Sequence, residues 1–159
     1  MGYSAVYHSP IGPLLLTSDK EYLTGLQFCS LNPPAKTEKL PIFTVTMRWL
    51  DAYFAGTPLP AAALPLSPVG TEFQRLVWEI LLDIPFGQTR TYGEIAKEVT
   101  CRMNKDKMSA QAVGGAVGRN PISIIIPCHR VIGANRTLTG YAGGLDKKEW
   151  LLRHEEVIK

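Results

Sequence analysis

The chain has 159 residues, of which 45% are hydrophobic and 19% charged, and its formal net charge is +3. This length suits one compact domain or two small lobes that bury a core without disulfide or metal staples. No apolar run is long enough to span a membrane and no secretory leader is visible, so we expect a cytoplasmic protein.

The charges are unevenly placed along the chain. Residues 99–148 carry eight basic and two acidic side chains, whereas residues 1–70 carry four of each. A polyanion is expected to prefer the basic half of the molecule. On charge alone, a solvated basic face explains the same pattern.

Three cysteines, Cys29, Cys101 and Cys128, are an odd and widely spaced set. This spacing argues against a disulfide framework and suits a reducing compartment. Each cysteine is therefore expected to be a free thiol.

The first part of the chain reads as a small α+β lobe over residues 1–56. Three β-rich runs separated by turn signals predict an antiparallel meander over residues 3–7, 14–17 and 22–28. Apolar residues at helical spacing predict a helix over 42–55, with Gly56 as its stop. Residues 57–70 contain four prolines and are predicted to be a connector without secondary structure.

Residues 71–159 are predicted to form a second lobe that opens with two helices. Thr71 is a fair N-cap for a helix that stops near Pro85. The run Thr91-Tyr92-Gly93-Glu94 fits a capping box and places Tyr92 in the first turn of a helix that reaches about Val99.

A third helix over residues 110–118, capped by Ser109, completes a helix-turn-helix pattern. Its composition is unusual because small residues dominate it: Ala110, Ala112, Gly114, Gly115, Ala116 and Gly118. Glycines destabilise a helix, so the close approach of another surface would explain them. Tight packing against the protein's own neighbours explains them as well.

The residues with the clearest chemistry follow a β-branched run at 124–126, which predicts a buried strand. Cys128 follows that run, and His129 and Arg130 give it electropositive surroundings that favour thiolate over thiol. His129 can accept the thiol proton directly or through a water, provided that the backbone bends or a water bridges, and Pro127 allows such a bend. From these residues alone, a buried structural cysteine is the competing interpretation.

Several separate segments resemble the O6-alkylguanine-DNA alkyltransferase family. They are Ser9-Pro10-Ile11-Gly12, the run from Phe86 to Ala96 (FGQTRTYGEIA), Asn120-Pro121, the run from Ile126 to Gly133 (IPCHRVIG), the run from Gly140 to Leu145 (GYAGGL) and the run from Lys148 to Leu152 (KEWLL). The resemblance implies an α+β fold. A small N-terminal antiparallel-sheet lobe with a helix would precede a mostly helical, winged helix-turn-helix-like domain that binds DNA and carries the active site.

The resemblance also implies a role for each of five residues. Cys128 would accept the alkyl group from O6-alkylguanine, and His129 would remove the thiol proton through a water. Glu155 would orient and stabilise the charged imidazole, in a relay analogous to a protease triad. Asn120 would tie the recognition helix to the active-site loop, and Tyr92 would protonate the departing guanine. A thioether has no easy hydrolytic exit, so each molecule would act once.

The partner implied by the resemblance is double-stranded DNA that carries O6-alkylguanine, with O4-alkylthymine left open. The target nucleotide would be flipped out of the duplex. The family lays its recognition helix in the minor groove, where small residues permit close approach. The DNA-binding residues would be Thr91, Ala110, Gln111, Ala112, Gly115 and Arg119, and the pocket for the guanine would be formed by Ser123, Val131, Tyr141 and Ala142.

The sequence departs from the family pattern at two places. Gln111 stands where many members have an arginine that fills the gap left by the flipped nucleotide, so we expect weaker support for flipping. The loop from Cys101 to Met108 is longer and more basic than a tight turn requires, and either it contacts phosphate or it is merely solvated.

We expect no cofactor, no membrane partner and a monomer. Some relatives carry a zinc site in the N-terminal lobe, but this lobe offers only His8 and Cys29 where a structural site wants four ligands, so no metal is expected.

Two other functions compete with alkyl transfer. A damage-sensing DNA-binding protein of the same fold would have lost the transfer activity. A cysteine hydrolase that uses Cys128 and His129 would need an oxyanion site, which the sequence does not offer.

Overall fold

A computed structural model of the chain describes residues 2–29, 38–136, 138, 141 and 143–158. The chain divides into two compact units. The first unit comprises residues 1–69 together with 121–123, and the second comprises residues 70–120 together with 124–159. Within the described residues, no helix is both long and apolar enough to cross a membrane.

The first unit is an antiparallel sheet with one helix. Its elements are β1 (Tyr3–Ser9), β2 (Gly12–Ser18), β3 (Leu23–Phe28) and α1 (Pro41–Phe54), and the strand order is β1-β2-β3. The predicted meander and helix are confirmed, with strand ends shifted by one or two residues. Alternate positions of the strands are buried, such as Leu14 and Leu16, and α1 buries Phe43, Leu50 and Tyr53.

The proline-rich stretch after α1 is more ordered than a connector without secondary structure. Ala61–Ala63 form a 3₁₀ turn. The N–H of Leu23 donates to the carbonyl of Pro65 over 2.9 Å, and the N–H of Ser67 donates to the carbonyl of Leu23 over 2.8 Å. Prolines cannot donate, but their carbonyls still accept, so this stretch adds a short parallel bridge beside β3.

The second unit is mostly helical. Its elements are α2 (Glu72–Leu82), β4 (Arg90–Thr91), α3 (Tyr92–Met103), α4 (Ala110–Gly118), β5 (Val131–Ile132) and α5 (Leu145–His154). The predicted capping box at Thr91 is present, the predicted N-cap Thr71 also forms a capping box, and Ser109 caps α4 as expected. The helix α3 runs four residues beyond the predicted end and stops at Asn104, whose left-handed φ of 53° ends it.

The helices α2, α3 and α4 share one core. The indole Nε1 of Trp78 in α2 donates to the carbonyl of Ala116 in α4 over 2.8 Å, and this hydrogen bond is buried. Val77, Ile95, Val99 and Val113 have no exposed surface. The position of α4 is therefore fixed by a directional bond as well as by apolar packing.

The predicted strand at residues 124–126 is wrong. These three isoleucines are buried, as a strand would require, but they form turns, and Ile124 has a φ of 70°. The reason lies at Pro127, whose φ of −82° and ψ of 65° make an inverse γ-turn. In this turn the N–H of Cys128 bonds back to the carbonyl of Ile126 over 2.8 Å, so the backbone bends before the cysteine.

The cap at Thr71 gives a first test of this fold. Its hydroxyl accepts from the N–H of Gln74 over 3.1 Å, and the Gln74 side chain accepts from the N–H of Thr71 over 3.0 Å. We expect Thr71→Ala to lower the free energy of unfolding by about 1 kcal/mol, because one N–H loses its partner. Urea denaturation measures this, with Thr71→Ser as the control that keeps the hydroxyl. Equal midpoints for wild type and Thr71→Ala would show that the cap is absent in solution.

Candidate active site

Cys128 begins a buried 3₁₀ turn, Cys128–Arg130, directly after the bend at Pro127. Only 5% of the cysteine is exposed. The following strand, β5, pairs in parallel with β4, and Thr91 lies opposite Ile132. This pairing fixes the cysteine loop to the strand that leads directly into Tyr92, the first residue of α3.

His129 and Glu155 form a fully buried pair. The His129 Nε2 and the Glu155 Oε2 are 2.6 Å apart, and both side chains have no exposed surface. A carboxylate only accepts hydrogen bonds, so in the neutral ring the proton lies on Nε2 and the lone pair on Nδ1. Within the described residues, Nδ1 is buried and has no hydrogen-bond partner.

Arg130 points to Glu155, although its place in the sequence suggested a positive charge beside the thiol. Its Nε donates to Oε1 of Glu155 over 2.7 Å and its Nη2 to Oε2 over 3.1 Å. Its Nη1 donates to the carbonyl of Ile84 over 2.7 Å, and the guanidinium lies 5.8 Å from the ring centroid of Phe86. The N–H of Gly87 adds another bond to Oε1, over 3.0 Å.

Burial in the turn keeps the Cys128 thiol and the His129 imidazole uncharged at rest. Burial raises the pKa of the Cys128 thiol, although a hydrogen bond from Asn120 and the charge of Lys148 act in the other direction. The resting cysteine is therefore a thiol. Its neighbours in the sequence were expected to favour the thiolate, but the effect of burial on the pKa is larger. Burial also lowers the pKa of His129, despite the opposing effect of Glu155, so the imidazole rests neutral.

Glu155 behaves differently from the other two groups. Burial alone would raise the pKa of its carboxyl, but the hydrogen bonds and charges of His129 and Arg130 outweigh burial and hold that pKa well below its usual range. The buried pair thus joins a neutral imidazole to a charged carboxylate.

Lys148 is a buried cation that sequence reasoning missed. It lies on α5, has no exposed surface, and its Nζ donates to the carbonyl of Val131 over 2.7 Å. Burial lowers the pKa of Lys148 to about 8, and the charge of the Cys128 thiolate, when that group is deprotonated, opposes the shift. A signal was available in the sequence, because Lys148 stands three and four residues before Leu151 and Leu152, on the face that α5 buries.

Asn120 lies just after α4, where it bonds to the cysteine loop. Its Nδ2 donates to the carbonyl of Ile126 over 2.8 Å, and its side chain also bonds to the Cys128 thiol. Tyr92 packs against α4, because a Cβ built on Gly114 would lie 3.8 Å from its ring carbons. The structure thus gathers Asn120 with Cys128, and it joins Tyr92 to them through the β4–β5 pair.

The exposed face of α4 includes residues that the sequence assigned to DNA: Ala110, Gln111, Ala112 and Gly115, with the exposed Arg119 directly after the helix. Apart from the helix's own backbone and chain neighbours, no heavy atom of the described residues lies within 4 Å of a Cβ built on Gly115 or Gly118. Packing within the protein therefore does not explain these two glycines, and the alternative interpretation of tight internal packing fails for them. Thr91 uses its hydroxyl to cap α3, accepting from the N–H of Glu94 over 3.1 Å.

The structure also describes Ser123 and Tyr141 among the predicted pocket residues. Ser123 belongs to the first unit, where its N–H donates to the carbonyl of Leu26 over 2.8 Å. The carbonyl of Tyr141 accepts from the N–H of Gly144 over 2.9 Å, and Ala142 lies outside the described residues. Among the residues that the structure describes, no group of three or more His, Cys, Asp or Glu side chains could hold a metal ion.

Comparisons with known proteins cover almost the whole chain. Residues 72–157 match the model of the 6-O-methylguanine DNA methyltransferase DNA binding domain, and residues 3–68 match that of the 6-O-methylguanine DNA methyltransferase ribonuclease-like domain. The chain belongs to the 6-O-methylguanine DNA methyltransferase family. The resemblance found in the sequence motifs is thereby confirmed.

Relatives within this family are similar along their full length. A methylated-DNA--protein-cysteine methyltransferase of Methanosarcina acetivorans is 49% identical, over 96% of this chain and 97% of the relative. The enzyme of the same name from Haemophilus influenzae is 44% identical, over 98% of this chain and 87% of the relative. A crystal structure of Mycobacterium tuberculosis OGT in complex with DNA matches with a TM-score of 0.83 and 43% identity, over 97% and 92% of the two chains. The predicted α+β fold class is confirmed by these matches.

The buried ion pairs of Glu155 predict a large effect on stability. We expect Glu155→Gln to lower the free energy of unfolding by about 3–5 kcal/mol, because Arg130 then keeps a buried charge without its carboxylate. The matched control is Glu149→Gln, which breaks an ion pair of 2.8 Å between half-exposed side chains and should cost less than about 1 kcal/mol. Urea denaturation compares the two variants, and equal losses would contradict the assigned burial.

Lys148 predicts a shift in the reactivity of the thiol. Since its charge lowers the pKa of Cys128, Lys148→Met should raise that pKa and move the pH dependence of iodoacetamide labelling to higher pH. Peptide mass mapping separates Cys128 from Cys29 and Cys101. Lys147→Met, on the more exposed side of α5, should leave the labelling profile of Cys128 unchanged. An unchanged profile in Lys148→Met would remove Lys148 from the site.

Proposed function

We propose that this protein transfers an alkyl group, typically methyl, from O6 of guanine in double-stranded DNA to Sγ of its own Cys128, once per molecule. The observation that carries the proposal is the buried Cys128 followed by His129, whose Nε2 is held by Glu155 and whose Nδ1 is buried without a partner in the described residues. The relatives named as methylated-DNA--protein-cysteine methyltransferases support the same reaction.

The proposed reaction begins with a proton transfer. The thiol proton of Cys128 passes through a water to Nδ1 of His129, and Glu155 stabilises the imidazolium that results. This step is needed because burial keeps the resting cysteine protonated. The positive charge of Lys148 stabilises the thiolate while it exists.

The second step is a displacement at the alkyl carbon. The thiolate sulfur forms the S–C bond as the C–O6 bond breaks, and the electron pair of that bond leaves with the guanine. Tyr92 gives its phenolic proton to the departing base. The product is a thioether on Cys128, and since water does not cleave a thioether readily, the molecule does not turn over.

The exposed face of α4 is the proposed DNA-binding surface. The open space over Gly115 and Gly118 allows the close approach that a minor-groove helix needs. Arg119 and the N-cap region at Thr91 would contact phosphates. A similar protein was solved in complex with DNA, which supports DNA as the partner. The flipped guanine would occupy a pocket formed by Val131, Tyr141 and Ala142, and the protein would act as a monomer.

Gln111 sets one expected difference from many relatives. It is exposed on α4, at the position proposed to fill the gap left by the flipped nucleotide. An amide is shorter than a guanidinium and carries no charge, so it supports the flipped state less strongly.

The test is the intact mass of the protein after reaction with an oligonucleotide that contains one O6-methylguanine. We expect the mass of one methyl group on Cys128, saturating at one equivalent, and none in Cys128→Ser. His129→Gln should slow the single-turnover rate by about 10²–10⁴-fold, because the proton acceptor is lost. His154→Gln is the matched control on α5 and should react like wild type. DNA binding without any mass gain would instead identify a damage sensor.

A further inference from the structure

Glu155 receives more hydrogen-bond donors than a relay carboxylate needs. Oε1 accepts from Arg130 Nε and from the N–H of Gly87, and Oε2 accepts from Arg130 Nη2 and bonds to His129 Nε2. Arg130 is also fixed from its other end, because its Nη1 donates to the carbonyl of Ile84. The carboxylate is therefore neutralised and oriented without any charge on His129.

We propose that Arg130 is a positioning residue that neutralises Glu155, so that His129 rests as a neutral imidazole whose Nδ1 can accept the thiol proton. The inference deepens the proposed function and rests on it for the identity of the proton donor. It assigns Arg130 an action through Glu155 and His129, with no contact to the substrate.

The charges around His129 support this assignment. The charged groups that act on the ring are Glu155 after α5, Arg130 on the same 3₁₀ turn and Lys148 from α5, and Cys128 is the first residue of that turn. In the resting site two cations, Arg130 and Lys148, face one anion, Glu155. Protonating His129 adds a third cation to a buried cluster, which is unfavourable. Without Arg130, the same proton would complete an ion pair with Glu155.

The consequence is opposite to the usual expectation for removing a positive charge beside a nucleophile. Loss of Arg130 should make His129 too basic, because the buried carboxylate would then hold a proton on the imidazole. An imidazolium cannot accept the thiol proton, so transfer would fail at neutral pH and recover at higher pH. A purely structural role for Arg130 would lower the rate by the same factor at every pH.

The experiment measures His129 directly, by long-range ¹H–¹⁵N NMR of the full-length, unreacted protein across pH. In Arg130→Met we expect the pKa of His129 to rise by about one pH unit or more. Arg130→Gln should show the same rise, so the inference stays testable if one variant does not fold. Arg130→Lys, which keeps the charge, should return the pKa towards wild type. Arg153→Met, which removes an exposed arginine of α5, should leave it unchanged.

The second readout is the pH profile of single-turnover methyl transfer to Cys128. The rate rises with pH as His129 loses its proton, so its midpoint should move upward in Arg130→Met by the amount seen by NMR. An unchanged or lower pKa of His129 in both Arg130→Met and Arg130→Gln would overturn the inference. If wild type binds the oligonucleotide but gains no methyl group, the proposed function fails, while the NMR result still decides the role of Arg130.

Discussion

The structure of the second unit depends on the burial of one carboxylate. Glu155 has no exposed side-chain surface, and an unpaired charge in that position would be strongly destabilising. Its donors come from two separate parts of the chain, the backbone N–H of Gly87 and the side chains of the 3₁₀ turn at Cys128–Arg130, and Arg130 also donates to the carbonyl of Ile84. Satisfying this one group therefore fixes the loop after α2, the cysteine turn and the end of α5 together.

The same arrangement separates the tasks of the charged groups. Arg130 neutralises the charge of Glu155, so Glu155 can orient His129 while the imidazole stays unprotonated. Lys148 donates to the carbonyl of Val131, and its charge lowers the pKa of the Cys128 thiol. Two buried cations thus serve two different partners. This division explains how the thiol, the imidazole and the carboxylate can lie close together while only the carboxylate is charged at rest.

Local signals in the sequence predicted where the helices of the second unit begin. They could not predict contacts between residues that lie far apart in the chain. Thr71, Thr91 and Ser109 predicted the starts of three helices, because an N-cap side chain accepts a hydrogen bond from a backbone N–H of the first turn. The isoleucines at 124–126 were wrongly predicted as a strand, because apolar residues indicate burial but do not specify the backbone conformation. The γ-turn at Pro127 bends the chain after them. Arg130 and Lys148 are surface residues by type, and their partners, Glu155 and Val131, lie 25 and 17 residues away. The family resemblance identified Cys128, His129 and Glu155. From its place in the sequence, Arg130 was expected beside the thiol, but its side chain bonds to Glu155.

The bond between Gly87 and Glu155 closes a loop of 68 residues. Contacts of such separation carry a large loop-closure entropy and form late, whereas the capped helices α2 to α4 make their contacts within a shorter stretch. A nascent chain is synthesised from its N-terminus, so α4 and its exposed small-residue face can fold before α5 has emerged. The protein is therefore expected to acquire the proposed surface for DNA before the proposed nucleophile is assembled. An unfinished chain would hold a reduced cysteine outside the buried turn, without the carboxylate that bonds to His129.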